Sequence, residues 1–117
     1  MRDPWREGKY VDLWSLVHVH GGFLVAWLLF ELGISLLPTA ALTLLALALH
    51  EIVEYLADVE EHATNRITDL GFGIVGIALA HAARAAAGYA IPAVAAVSFA
   101  LLNLWGWWAW MRREGKL

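Results

Sequence analysis

Residues 41–80, ALTLLALALHEIVEYLADVEEHATNRITDLGFGIVGIALA, decide the fold, because two apolar runs flank a single polar junction. A helix that crosses the hydrocarbon of a bilayer needs about 20 predominantly apolar residues. The run before the junction reads as the end of one such span and the run after it as the start of the next. Between them DVEEHATNR (58–66) reads as a polar connection. The segment is therefore expected to be a membrane hairpin whose two ends meet in a belt of acids and histidines.

Working outward, the rest of the chain supplies two more spans. Helices are expected over about 12–37, 38–57, 67–87 and 89–111, with Pro38 tolerated in a first turn and Gly88 and Pro92 bracketing the last start. Hydrophobic residues make up 61% of the 117 residues and charged ones 16%, against roughly 25% charged in a soluble domain. The mixed charges of MRDPWREGKY do not fit a cleaved signal peptide, so the first span is expected to remain as an anchor. No linker or repeat divides the sequence, and one domain over residues 1–117 is expected. The fold class is all-α, an antiparallel bundle of four transmembrane helices joined by short connections.

Charge sets the orientation. With both termini cytoplasmic, Arg2, Arg6, Lys9, Arg66, Arg112, Arg113 and Lys116 lie inside and Arg84 outside, which satisfies the positive-inside bias. Trp105, Trp107, Trp108 and Trp110 then crowd the cytoplasmic interface, joined by Trp5 and Trp14, as an aromatic anchor belt. The expected location is the plasma membrane of a bacterium, with multiple passes and lipids as neighbours. The net charge of −3 argues against a nucleic-acid partner, and the absence of cysteine excludes disulfides and thiolate metal sites.

Depth gathers the polar residues into one half of the bundle. His18 and His20 lie about 9–12 Å along the first helix at helical rise, and His50, Glu51, Glu54 and Asp58 end the second at a matching level. Asp69 opens the third helix there, and Asn103 approaches on the fourth. Positions 50/54 and 54/58 are four apart and 51/54 three apart, so these side chains form a stripe. His18 and His20 are about 200° apart, so one of them faces it. Gly21 and Gly22 suit a close helix approach, and Gly73, Gly76 and Ala80 beneath Asp69 suit plain tight packing.

An uncompensated carboxylate in hydrocarbon costs at least about 2.5–3.5 kcal/mol, so Glu51, Glu54 and Asp69 must be paired, protonated, hydrated or bound to a cation. Oxygen and nitrogen ligands suit a divalent ion such as Mg, Mn, Fe or Zn. The candidate ligands are His18, His20, His50, Glu51, Glu54, Asp58 and Asp69, with Glu54 as central ligand or base and Asp69 as its catalytic partner. The H-E-x-x-H pattern is absent, which argues against a metalloprotease. A plain structural reading, a polar network that fixes helix register, stands beside the functional one. Glu31 and His81 are isolated polar groups in the outer half.

The runs DLWSLVHVHGGFLVAWLLF and HEIVEYLADVEEHATNRITDLGFGIVGIALA resemble the small VanZ-like and YjdF-like bacterial membrane proteins over about residues 12–80. The resemblance implies an integral membrane protein, linked in some members to glycopeptide resistance. It singles out Asp12, His18, His50, Glu51, Glu54, Asp69 and Gly76, while Gly73 stands where VanZ-like proteins usually have an asparagine. Function is thus expected to lie in an acid/histidine centre that binds a divalent cation or shares protons and acts on a membrane-borne anionic ligand. Two alternatives are an oligomeric cation or proton channel lined by the same acids, and an accessory subunit of a larger membrane complex.

Overall fold

The computed structural model describes Trp5 and residues 13–56, 63–84 and 88–116, the first three positions of the second-to-last helix as backbone only. These residues form four helices and no strand: α1 (Leu13–Glu31), α2 (Leu36–Leu56), α3 (Ala63–Ala83) and α4 (Ala90–Arg113). Each is long and apolar enough to cross a membrane. At 1.5 Å per residue they extend roughly 28–36 Å, enough for a hydrocarbon core of about 30 Å. The exposed surface is correspondingly apolar, with Leu37, Val53, Leu56, Ile67 and Val94 all turned outward. This inverts the pattern of a soluble domain and is the mark of a multi-pass membrane protein.

The helix ends differ from the sequence expectation for local reasons. α1 stops at Glu31 rather than Leu37, because Gly33 takes a left-handed φ of 85°. Its N–H bonds to the Phe30 carbonyl at 2.9 Å, and the Ile34 N–H to Leu29 at 3.1 Å, the pattern of a Schellman cap. The same cap closes α4, where Gly115 has φ 70° and Lys116 donates to Met111 at 2.8 Å. Pro38 lies in the first turn of α2, as expected. α3 begins at Ala63 rather than Ile67, since polar residues outside the hydrocarbon extend a helix as readily as apolar ones inside it.

α1 is the common partner, packing most closely against α3 and also against α2 and α4. His18 meets Asp69, Gly22 meets Gly73, and Phe30 meets His81, so α1 and α3 rise side by side in the same direction. The approach is set by glycine. A Cβ added at Gly22 would overlap the Gly73 carbonyl, and one at Gly76 would overlap the Val19 carbonyl and lie 2.6 Å from the Phe23 nitrogen. Gly73 is also filled by the Leu47 side chain from α2, so an asparagine there would have to push Leu47 aside. Without a hydrophobic drive between helices in lipid, such close backbone contact is the chief source of packing energy. Below it Phe23, Ala26, Phe30, Ile77 and Ala80 form the apolar core.

α4 is peripheral. Of its residues only Pro92 and Gly106 are buried. Gly106 leaves the space in which Trp5 and Trp14 pack, for a Cβ there would lie 2.9 Å and 2.8 Å from their rings. Trp5 stands edge-on to Trp14 and Trp105, at centroid distances of 4.8 and 5.4 Å, and its carbonyl accepts from the Trp14 indole N–H at 3.0 Å. Trp5 is thus buried among the belt tryptophans, while Trp105, Trp107 and Trp108 face outward, Trp107 edge-on to Trp110 at 5.5 Å.

Candidate polar centre

Each helix that meets at the centre brings its residue on a buried stripe. On α2 that stripe is Thr39, Thr43, Leu47 and Glu51, spaced by four. On α1 His18 precedes Gly22 and Ala26 by the same step, and on α3 Asp69 precedes Gly73 and Ile77. The glycine contact draws α1 and α3 together one turn away, and the acid and the imidazole are carried into range with it.

The resulting geometry joins three helices. His18 Nε2 lies 3.0 Å from Glu51 Oε1 and 3.6 Å from Asp69 Oδ2. One ligand-type atom from each residue falls within 4.8 Å of the others, and all three residues are buried. On the opposite side of the ring, Nδ1–H donates to the Trp14 carbonyl at 2.7 Å. A carbonyl oxygen only accepts, so Nδ1 carries the hydrogen and Nε2 is left to face the carboxylates. A neutral Nε2 and a carboxylate oxygen are both acceptors. At 3.0 Å their contact requires a positive species between them, either a proton or a metal ion.

Arg66 completes the arrangement from the first turns of α3. Its Nη1 donates to Glu51 Oε2 at 3.3 Å and to the Glu51 carbonyl at 3.1 Å, and its guanidinium lies 5.9 Å from the centre of the Tyr55 ring. Glu51 thus divides its two oxygens between α1 and α3. From sequence alone Arg66 marks only the orientation of the spans. The available signal was its spacing three residues before Asp69, which puts both on one helix face once α3 is known to begin before residue 66. Trp14 likewise reads only as an interface anchor, although its carbonyl lies four residues before His18, the same step at which His20 bonds Leu16.

The remaining candidates fall elsewhere. Glu54, expected at the middle, pairs instead with His50 on the surface of α2 at 3.0 Å, next to the centre, with the His50 ring 6.1 Å from that of His18. His20 turns away from the acids, as the 200° separation requires; its Nδ1–H bonds to the Leu16 carbonyl at 2.8 Å, and its ring lines a shallow groove with Ser98, Leu102 and Trp105 of α4. Asn103 donates to its own Phe99 carbonyl at 2.8 Å, so the centre is built by three helices rather than four. Asp58 and Asp12 lie outside the described residues. Glu31 is exposed, and His81 packs on the Phe30 ring.

A tetrahedral ion with bonds of about 2.0–2.2 Å separates its ligand atoms by about 3.3–3.6 Å. The distances from His18 Nε2, 3.0 and 3.6 Å, lie near that range, but the three ligand atoms together spread to within 4.8 Å, so an ion would have to replace the His18–Glu51 and His18–Asp69 ion pairs and draw the two carboxylates together. The donor set, one imidazole and two carboxylates, suits a borderline divalent ion, and a ligating histidine commonly donates its other N–H to a backbone carbonyl, as His18 does. No protein-family model matches the chain, and no curated protein or solved structure matches it either.

Proposed function

We propose that the chain is a multi-pass protein of the bacterial plasma membrane, an antiparallel four-helix bundle with both termini cytoplasmic, whose centre at the inner leaflet binds a divalent cation. His18 Nε2, Glu51 Oε1 and Asp69 Oδ2 would hold the ion. When bound, it supplies a concentrated positive charge able to draw an anionic, membrane-borne ligand toward the bundle. The observation that carries this reading is the contact of His18 Nε2 with a carboxylate while Nδ1 is committed to Trp14. The lysine and arginine distribution supports the orientation, and the resemblance to VanZ-like proteins supports the membrane and the bacterial source.

The 3.0 Å separation is also a hydrogen-bond length, so a single shared proton is the second reading. Titration of the purified protein with Co2+ separates the two. A bound ion gives visible d–d absorption that saturates at one equivalent per chain and disappears in Glu51→Ala and in His18→Ala, while Glu54→Gln leaves it in place. Absence of saturable absorption in a folded, monodisperse wild type would refute the cation reading.

A further inference from the structure

The centre's charge is not set by its ligands alone. Among the described residues facing it, α1 contributes His18, α2 contributes Glu51 with the neighbouring His50–Glu54 pair, and α3 contributes Asp69 and Arg66. The two carboxylate ligands carry two negative charges, which a divalent ion alone would balance. Arg66, 3.3 Å from Glu51 Oε2 and with a side chain only 19% exposed, already cancels one of them. Counted over Glu51, Asp69 and Arg66 alone, a bound divalent ion leaves one positive charge in excess in a poorly solvated place.

We propose that Arg66 is the residue that sets the affinity and ion preference of the centre: it acts as a fixed internal cation that holds divalent binding weak and exchangeable. This rests on the cation reading above. It also makes the site unlike a structural metal centre, in which nothing competes with the ion for its ligands. The alternative role for Arg66 is a structural tie, since the same Nη1 bonds the Glu51 carbonyl and so links α2 to α3. The two roles give opposite signs. A tie, once cut, loosens the ligand set and weakens binding; an internal cation, once removed, strengthens it.

The experiment is Co2+ and Mn2+ titration of wild type, Arg66→Gln, Arg66→Met and Arg66→Lys in detergent, with folding checked by circular dichroism and gel filtration. The neutral variants are expected to bind at least about tenfold more tightly, since a unit charge at this range is worth more than the free energy of one decade. Arg66→Lys is expected to stay near wild type. Unchanged or weaker binding in the neutral variants would overturn the proposal and leave the cation site standing. Failure of both neutral variants to fold, with Arg66→Lys folded, would also overturn it, by making Arg66 a tie. No saturable binding in any folded variant would instead refute the cation reading itself.

Discussion

Two histidine–carboxylate pairs lie within a turn of each other at the end of α2, His18–Glu51 and His50–Glu54, each with an N···O distance of 3.0 Å. Their surroundings differ sharply. The first has side chains 8% and 9% exposed and joins two helices, with Asp69 and Arg66 of a third in contact; the second has side chains 56% and 26% exposed and lies within one helix, four residues apart. Equal length does not imply equal consequence. A partly exposed pair gains little, because water and lipid headgroups solvate either partner left alone. A buried pair is costly to assemble and far more costly to halve, because the survivor keeps its charge or its unmet hydrogen bond in a low dielectric. The acid stripe of α2 is therefore two structures, one that ties the bundle together and one that decorates it.

The largest expected effect tests this division directly. Glu51→Ala removes the carboxylate that His18 and Arg66 share and should destabilise the bundle by about 3–5 kcal/mol, whereas Glu54→Ala should cost no more than about 1 kcal/mol. Unfolding of both variants in mixed micelles, followed by circular dichroism, measures the difference. Equal losses would show that burial does not separate the pairs.

Next in size is the contact that brings the first pair together. Gly76→Leu would force a side chain into the Val19 and Phe23 backbone and should cost at least about 1–3 kcal/mol. Gly71, five residues earlier on the same helix with nothing within 4 Å of its missing Cβ, is the control, and Gly71→Leu should stay within about 0.5 kcal/mol of wild type. A spin-label distance between α1 and α3 should lengthen only in the first variant. The smallest effect belongs to His20, which faces the α4 groove. His20→Ala should change stability by no more than about 0.5 kcal/mol and leave the Co2+ spectrum as it is in wild type. A lost spectrum would place His20 in the centre after all.

Much of this organisation is legible in the chain. Apolar runs of the right length mark the four helices, because a bilayer forces every backbone polar group to be satisfied within its own segment. The same constraint makes an ionisable group inside a span conspicuous, which is why His18, Glu51 and Asp69 stand out as candidates. The glycine cap at Gly33 is missed by the same reasoning, which carries the first helix to residue 37, because an apolar run does not show where a left-handed residue ends a helix. Polarity misleads at Ala63–Arg66, where a segment that reads as loop is helix, because lipid solubility and helicity are different properties.

The choice between Glu51 and Glu54 shows where local reasoning ends. At about 100° per residue, Glu54 lies about 20° from Leu47 and Glu51 about 40°, so the helical wheel slightly prefers Glu54. The fold prefers Glu51, because α2 is buried along a stripe advancing by fours from Thr39, a line that drifts around the helix and is fixed by the neighbours it lies against. The sequence by itself determined the solvent, the number of spans and which residues must find partners, all of which follow from transfer free energies along one chain. Which partners they found was decided only when Gly22, Gly73 and Gly76 let α1 and α3 close on each other, since a distance between helices is a property of two surfaces and is written in neither alone.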